Sequence, residues 1–493
     1  MKVPKFPEGI LGLDRTSSVP LSQQVYRAIR DTVRLGVLKP GIQLPSSRKL
    51  ARDQNISRNT VNTAYELLRA EGIVEIRLGA APVIADFVSP ITASIRKSDG
   101  QQVRGLSKRG QLLAANLRGP NWAYRHGAFQ PGAPALDAFP YELWARSLRR
   151  AARMVQSPDL LYQNSCGHPE LKEVLADYLA SERGVRTEPH QILVTSSMQA
   201  GLSALAATLA DPADTAWIED PGYLGARTAF HGAGLTIRGM PVDGEGAIAD
   251  DLLAAGSLPK LIYVTPSHHY PFGRRMSLSR RLSLIETAAE VGATILEDDY
   301  DSEFLFEGRP IAALQGLAAR GEVIYLGTFS KSLLPGLRVS YLVVPEELVA
   351  SLANVLRNTG RFANVHAQIA LADFITSGHY RAHLKHIRNL YQERGNALVT
   401  ALKAELGNAV EVEYPTGNVQ ISLCFNEDRD DHVIAAAMQE RGFSVSPLSV
   451  CFLSEKPRSG LIIGFAQATE VQIASGVQVL KEILKAQALP TVS

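Results

Sequence analysis

The sequence has few cysteines and no long apolar run. Its three cysteines, Cys166, Cys424 and Cys451, are widely separated along 493 residues, which excludes a disulfide framework and a close-spaced set of metal ligands. No apolar stretch of signal-peptide length follows a basic start, and no apolar run is long enough to span a membrane. We therefore expect a cytoplasmic protein without a metal site or membrane attachment, built from about three folding units.

The net charge is also small, +2 at neutral pH, but the charges are unevenly distributed. Residues 1–125 contain 20 lysines and arginines against 9 acidic residues, so the remainder of the chain is net acidic. A basic N-terminal part indicates a polyanionic partner such as nucleic acid. Charge alone fits a solvated surface equally well, so this prediction depends on the fold of the basic part.

Residues 14–86 have the pattern of three helices followed by two short strands. Apolar residues at helical spacing precede a turn at 39–41, which ends the first helix. Ser46 and Ser57 suit the N-cap positions of the second and third helices. Gly79 allows a tight turn between the strands. This order of elements predicts a winged helix-turn-helix domain.

The second and third helices leave polar side chains facing outward, where they can bond phosphates and base edges. Arg48 and Lys49 lie in the first turn of the second helix, where a cation opposes the helix dipole by ~0.3–1 kcal/mol. A DNA phosphate would reverse that effect, although a small helical packing domain with incidental surface arginines remains the alternative. The residues predicted to contact a double-stranded DNA operator are Arg48, Lys49, Ser57, Arg58, Asn59, Thr60, Asn62 and Gly79.

Two stretches, Leu-Pro-Ser-Ser-Arg-Lys-Leu-Ala at 44–51 and Ser-Arg-Asn-Thr-Val-Asn-Thr-Ala-Tyr at 57–65, resemble the winged helix of GntR-type bacterial regulators. The resemblance implies that Arg48, the start of the third helix and the wing glycine contact DNA. Lys49 stands where many relatives have an acidic residue, and we expect it to tighten nonspecific binding. Residues 87–124 are basic and lack strong periodicity, so we predict a linker there.

From residue 125 to 493, helical patterns alternate with short runs of valine, isoleucine and leucine. Such alternation predicts an α/β domain with a mainly parallel sheet flanked by helices. Ligands of these sheets bind beyond the carboxyl ends of the strands. The predicted strands are 191–195, 215–219, 260–264, 293–297 and 322–326.

The motif at 327–338 follows the last of these strands and suggests pyridoxal 5'-phosphate (PLP) chemistry. A lysine that forms a Schiff base with PLP needs phosphate donors nearby, and Lys331 has Thr328 and Arg338. After another strand, Asp298 can keep the pyridine nitrogen protonated and Tyr300 can donate to the phenolate oxygen. Because further acidic residues follow Tyr300, a metal-binding or merely exposed acidic cluster is the alternative.

Two further segments lie at positions that suit the same cofactor. Ser197, Met198 and Gln199 follow a strand and open a helix, whose backbone N–H groups can hold a phosphate. Tyr223 follows another strand and can stack on the pyridine ring. Each segment taken alone is equally typical of an ordinary joint between a strand and a helix.

Together these residues resemble fold-type I PLP-dependent aminotransferases, and most closely the MocR/GabR-type regulators, which fuse a GntR-like winged helix to such a domain. The resemblance implies an aminotransferase-like domain with a smaller C-terminal α/β subdomain, PLP on Lys331, Asp298 at the pyridine nitrogen, Tyr300 at the phenolate oxygen and Tyr223 stacked on the ring. It also implies a head-to-tail homodimer. Among the motifs in family order are Phe129-Gln-Pro-Gly, Gly167-His-Pro-Glu-Leu, Asp220-Pro-Gly-Tyr and Ser330-Lys-Ser-Leu-Leu-Pro-Gly-Leu-Arg.

The sequence departs from the aminotransferase pattern in three places. The arginine that clamps the α-carboxylate of an amino acid is replaced by Leu461 or Ile462, and an aliphatic side chain cannot make that clamp. Arg227 and Arg458 are candidate substitutes away from the family position.

Ser197 and Met198 replace glycine and serine of the phosphate loop, which predicts weaker PLP binding. Tyr270 stands at the position of the asparagine that bonds the phenolate oxygen, as is typical of the regulators.

Three functions remain open on the sequence. In the first, the chain is a transcriptional regulator whose effector, PLP or an amine, acts through the Schiff base on Lys331. In the second, it is a PLP-dependent aminotransferase with an accessory DNA-binding domain. In the third, it is an architectural DNA-binding dimer whose large domain is an inert scaffold. The fused DNA-binding domain and the missing carboxylate clamp favour the first function, with at most partial transamination.

Overall fold

The structure is a computed structural model that describes residues 11–76, 80–86, 105–114, 127–154, 166–308, 310–319 and 321–488. The chain divides into two compact units between Gly105 and Leu106. Each unit has a hydrophobic core of its own.

The N-terminal unit consists of three helices and a two-stranded antiparallel ribbon. Buried aliphatic side chains from all three helices, among them Ile29, Leu50 and Val61, form one core. The winged helix-turn-helix predicted from the sequence is confirmed, whereas Gly79 lies outside the described residues. The elements are α1 (Leu21–Arg34), α2 (Ser47–Asp53), α3 (Arg58–Ala70), β1 (Val74–Glu75) and β2 (Val83–Ile84).

The two predicted N-caps fix where α2 and α3 begin. The Ser46 hydroxyl accepts a hydrogen bond from the backbone N–H of Lys49 at 3.3 Å, and the Ser57 hydroxyl accepts one from Thr60 at 3.0 Å. Each cap satisfies a donor that the helix itself leaves without a partner. The cap at Ser57 places Arg58 in the first turn of α3.

The larger unit is built on an eight-stranded sheet in the order β3-β10-β9-β8-β7-β4-β5-β6. The strands from β9 to β5 in this order run parallel, while β10 and β6 pair antiparallel with their neighbours. The strands are β3 (Ile192–Thr195), β4 (Thr215–Asp220), β5 (Thr236–Asp243), β6 (Gly246–Ala247), β7 (Leu261–Val264), β8 (Thr294–Asp299), β9 (Val323–Thr328) and β10 (Ser340–Val343).

Both faces of this sheet are buried, which explains the continuous apolar runs of its strands. Consecutive residues of one strand point to opposite faces, and they accordingly belong to different cores. Ile262 packs with Trp217 in one core, whereas the next residue, Tyr263, packs with Ile218 in another. The five strands predicted from the sequence are present with bounds that differ by one or two residues, and they confirm the mainly parallel α/β fold.

A second, four-stranded antiparallel sheet lies in the C-terminal part of the larger unit, in the order β11-β12-β14-β13. This sheet is the smaller C-terminal α/β subdomain that the resemblance implies. The strands are β11 (Val410–Glu411), β12 (Gln420–Phe425), β13 (Ser446–Pro447) and β14 (Gly460–Gly464).

The helices of the larger unit cover the two sheets. The first of them, α4, lies inside the predicted linker, and its Leu113 side chain approaches Gly232. Among the helices of the described residues, none is both long and apolar enough to cross a membrane. The helices are α4 (Lys108–Ala114), α5 (Tyr141–Met154), α6 (Pro169–Arg183), α7 (Met198–Leu209), α8 (Leu224–Ala233), α9 (Asp250–Ala254), α10 (Leu278–Val291), α11 (Leu314–Leu317), α12 (Glu346–Asn358), α13 (Val365–Thr376), α14 (His379–Leu406), α15 (Asp431–Glu440) and α16 (Glu470–Ala488).

Candidate functional site

A cavity of about 200 Å³ lies at the carboxyl ends of β7, β8 and β9. This is the edge of a parallel sheet at which ligands bind. Side chains of β12 and β13 in the smaller sheet also line it. Seven residues predicted from the sequence line the cavity, namely Met198, Tyr223, Tyr270, Asp298, Tyr300, Thr328 and Lys331. Residues that line it without having been predicted include Gly132, Tyr263, Ser330, Gln420 and Ser446.

Lys331 follows β9 in a tight turn and directs its amine across the cavity. Its Nζ donates a hydrogen bond to the backbone carbonyl of Gly132 at 2.7 Å. Gly132 has a φ of +72°, and a Cβ at this residue would lie 2.3 Å from Nζ. Glycine is therefore favoured by the backbone conformation, and a Cβ at this residue would displace the Lys331 amine from its observed position.

Asp298 is a buried carboxyl group near the end of β8 with one oxygen still available. Its Oδ2 accepts a hydrogen bond from the Tyr263 hydroxyl at 2.5 Å, while its Oδ1 is buried and has no hydrogen-bond partner among the described residues. Burial raises the pKa of Asp298 to about 7, and nearby Asp299 and Asp301 add to this increase. A protonated ring nitrogen is the kind of donor that this oxygen lacks.

The neighbouring acidic residues are bound to the protein itself. Asp299 Oδ2 accepts hydrogen bonds from Arg183 Nε at 2.7 Å and from the Tyr325 hydroxyl at 2.6 Å. These contacts hold the pKa of Asp299 below its usual range, although burial opposes the change. Asp301 lies 2.8 Å from His268 Nδ1. Asp298, Asp299 and Asp301 are all buried, so they do not form an exposed acidic cluster.

Tyr300 lines the cavity, but its hydroxyl group already has two partners. It donates to the His268 carbonyl at 3.0 Å and accepts from Asn418 Nδ2 at 3.1 Å. Burial raises the pKa of Tyr300 well above its usual range, so the hydroxyl keeps its proton. Donation to a cofactor oxygen requires this proton to turn towards the cavity. The contact from Asn418 was not foreseen, because that residue lies beyond β11 in the sequence.

Three tyrosines form an aromatic wall of the cavity. The rings of Tyr223 and Tyr263 are stacked, with centroids 6.3 Å apart and planes at 24°. The rings of Tyr223 and Tyr270 meet edge to face at 5.4 Å. This wall offers a flat surface for an aromatic ring.

The predicted phosphate-binding residues are only partly assembled. Ser197 caps α7 by accepting from Ala200 N at 3.1 Å, and Gln199 Nε2 donates to the Gly225 carbonyl at 3.0 Å. Neither residue lines the cavity, and Arg338 is exposed with a φ of 54°. Met198 and Thr328 do line it. The phosphate roles of Ser197, Gln199 and Arg338 therefore stay predictions.

The smaller sheet places an aliphatic residue where the carboxylate-binding arginine was expected. Ile462 pairs with both Ser422 and Ser446, so the three side chains share one face of the sheet. Because Ser446 lines the cavity, Ile462 is on the cavity face, whereas Leu461 packs in the main core on the opposite face. Of the two residues, Ile462 is therefore the one on the cavity face of the sheet, and its place as the replacement stays a prediction.

The two candidate substitutes for that arginine do not line the cavity. Arg227 Nη1 donates to the carbonyls of Val450 and Phe452 at 3.3 and 3.2 Å. Arg458 is paired with Glu411 at 2.5 Å. Both guanidinium groups are therefore directed to protein partners outside the cavity.

In the N-terminal unit, the predicted DNA-binding residues cluster at the starts of α2 and α3. Arg48, Lys49, Ser57, Arg58 and Asn59 are exposed, whereas Thr60 and Asn62 are half-buried. Arg58 Nε lies 3.5 Å from the hydroxyl of Ser47, which connects the two helices. The N-terminal turn of α3 is accessible to a partner.

Residues 136–480 match the family described as "Aminotransferase class I and II", and residues 21–84 match "Bacterial regulatory proteins, gntR family". The two units together define a helix-turn-helix regulator with an aminotransferase-like domain. The chain belongs to the HTH-type transcriptional regulators of this architecture, which include MocR.

Similar proteins support both parts of this assignment. The chain is 38% identical to the "Probable rhizopine catabolism regulatory protein MocR" of Rhizobium meliloti, over 96% of this chain and 95% of the relative. It is 30% identical to the "HTH-type pyridoxine biosynthesis transcriptional regulator PdxR" of Corynebacterium glutamicum, over 92% and 93%. The solved structure of LysN, an alpha-aminoadipate aminotransferase from Thermus thermophilus, matches with a TM-score of 0.71 and 26% identity, over 77% and 97%. These similarities confirm the predicted fold-type I aminotransferase class.

Gly132→Ala tests the placement of the Lys331 amine. The added methyl group would displace Nζ and disfavour the backbone conformation, so we expect attachment of PLP to be on the order of 100-fold slower. Absorbance of the pyridoxal chromophore measures this rate. Gly336→Ala is the control, because a Cβ there has open space and an unstrained φ. Equal rates in the two variants would contradict the placement.

Asp298→Asn tests the cost of burying a carboxylate without its partner. Because the pKa of Asp298 is raised from 3.8 to about 7, the ligand-free native state loses stability as pH rises through this interval. The asparagine variant lacks that loss. We expect it to become more stable than wild type by at most about 4 kcal/mol above pH 7, and to bind PLP more weakly. Parallel pH profiles of the unfolding midpoints would contradict this account.

Proposed function

We propose that this transcriptional regulator binds PLP at Lys331 and that an amine, or PLP itself, changes its affinity for a double-stranded DNA operator. The observation that carries the proposal is the presence, in one cavity, of the Lys331 amine and the buried Asp298 carboxyl whose Oδ1 lacks a partner. PLP would supply an aldehyde carbon that is bonded to one primary amine at a time, so that an incoming amine would take the place of the Lys331 amine, which is released. The cavity can therefore report the presence of an amine.

Each lining residue has a role that its surroundings support. Lys331 would hold the cofactor covalently, and Asp298 would keep a proton on the pyridine nitrogen, with Tyr263 orienting the carboxyl group. Tyr223 would contact the ring face. Tyr300 and Tyr270 would lie at the phenolate oxygen. The phosphate would be held by Thr328, Met198, Ser197, Gln199 and Arg338.

The DNA-binding role belongs to the exposed turn of α3 and to the start of α2. We propose that Arg58, Asn59 and Asn62 contact base edges or phosphates and that Arg48 and Lys49 contact phosphates. The capping serine Ser57, Thr60 and Gly79 complete this surface. We further propose that the protein works in the cytoplasm as a head-to-tail homodimer.

Known relatives support a regulatory role tied to small molecules. The names of MocR and PdxR connect those two proteins with rhizopine catabolism and pyridoxine biosynthesis. An aminotransferase function has less support, because Ile462 occupies the position of the carboxylate-binding arginine and no arginine lines the cavity among the described residues. Without that anchor an amino acid substrate loses its main point of orientation.

Lys331→Ala is the direct test of the sensing function. We expect the variant to bind operator DNA with an affinity that no longer responds to PLP or to a panel of amines, because the covalent anchor is lost. Fluorescence anisotropy of labelled operator measures the affinity with and without each compound. Lys385→Ala, which removes an exposed lysine of α14, is the control and should respond like wild type. A response that persists in Lys331→Ala would refute the proposal.

Arg58→Glu tests the DNA-binding surface. Reversing this charge in the first turn of α3 should weaken specific operator binding by at least the 1–3 kcal/mol typical of a lost contact, roughly 5-fold to 150-fold. Arg69→Glu makes the same charge change at the other end of α3 and is the control. If both variants bind equally well in the anisotropy assay, the placement of the recognition helix is wrong.

A further inference from the structure

We propose that the effector of this regulator is a primary amine that carries uncharged hydroxyl groups and no carboxylate. The inference rests on the proposed function, and it specifies which amines the cavity accepts. It depends on the charges that line the cavity, on the residue at position 462 and on the side-chain amide nitrogen of Gln420, which has no partner among the described residues.

The cavity offers no cation to a carboxylate. Among its described lining residues only Lys331 and Asp298 carry charge, and both are assigned to the cofactor. A carboxylate that entered would leave water without gaining an oppositely charged partner, which is unfavourable. An uncharged ligand does not meet this penalty.

In the smaller sheet, the apolar residue at position 462 also disfavours a ligand that carries a carboxylate. Ile462 is fully buried, and it packs with Cys424, Leu448 and Cys451. It lies directly opposite Ser446, which lines the cavity. The position that could hold a carboxylate-binding guanidinium is thus part of an apolar cluster beside the cavity.

Gln420 supplies a polar group that suits a hydroxylated ligand. Its side chain is buried and lines the cavity, and its Nε2 has no hydrogen-bond partner in the part of the chain that the structure describes. A buried donor left without a partner is unfavourable. The protein's own described groups leave this donor unused, so an oxygen acceptor on the ligand would satisfy it.

Two further hydroxyl groups, those of Ser446 and Ser330, line the same cavity. A serine hydroxyl both donates and accepts hydrogen bonds, as a ligand hydroxyl does. The cavity therefore combines a reactive amine-binding end at Lys331 with neutral hydrogen-bonding groups on the smaller sheet. This is the chemistry of an amino alcohol and not that of an amino acid.

The test compares amines that differ only in the exchange of CH2OH for a carboxylate. Ethanolamine is matched with glycine, and 2-aminopropane-1,3-diol with serine, while propylamine lacks both groups. The PLP-loaded full-length protein is titrated with each compound, and both the chromophore absorbance and the operator affinity are recorded. We expect each alcohol to bind at least about tenfold more tightly than its matched acid, and to be the member that changes operator affinity.

Two variants locate the cause of the selectivity. Ile462→Arg should reverse the preference towards glycine and serine, because it introduces the missing cation. Gln420→Leu should reduce the ratio of ethanolamine affinity to propylamine affinity, because it removes the donor proposed to bind the ligand hydroxyl. Both variants retain Lys331 and Asp298, so retained chromophore absorbance verifies that the site is intact. If Ile462→Arg does not fold, the wild-type preference still decides the inference.

The outcomes separate the inference from the function on which it rests. Equal or tighter binding of glycine and serine by wild type would overturn the inference while leaving amine sensing intact. If no amine binds but PLP alone changes operator affinity, the inference fails and PLP is the effector. If neither PLP nor any amine changes operator affinity, the proposed function fails as well.

Discussion

The burial of the Asp298 carboxyl group is the constraint on which the larger unit depends. Its removal from water is unfavourable, and the single hydrogen bond from Tyr263 satisfies only one of its oxygens. The neighbouring carboxyl groups have partners within the protein, Asp299 in an ion pair with Arg183 and Asp301 in a hydrogen bond with His268. Among the described residues the other oxygen of Asp298 has no partner, and in the proposed function a protonated pyridine nitrogen of PLP would supply one.

The smaller sheet supplies the residues that, in our proposal, select which effector amine binds beside the cofactor. The larger sheet brings Lys331 and Asp298 together at its carboxyl edge, as its topology requires. The smaller sheet contributes Gln420 and Ser446 and places Ile462 beside them. In the function and the effector class proposed above, cofactor binding and ligand selectivity therefore come from different sheets, so we expect a change at position 462 to alter the ligand without altering the fold around Lys331.

Sequence patterns were sufficient to predict those cavity residues that lie directly after a strand. Lys331, Asp298, Tyr300 and Tyr223 all lie just beyond apolar runs, and parallel strands bring such positions to one edge. The contribution of Gln420 could not be predicted, since it depends on the pairing of β12 with a strand some 40 residues later. The same pairing was needed to choose between Leu461 and Ile462. Gly132 escaped prediction because its proximity to Nζ exists only in three dimensions.

The central claim is that occupancy at Lys331 controls DNA binding. It is tested most directly by adding one responsive amine in steps to the PLP-loaded protein on labelled operator, with chromophore absorbance and anisotropy recorded on the same sample. The account predicts that the two signals change together, with the same midpoint. Anisotropy that stays constant while the absorbance changes to completion would contradict it.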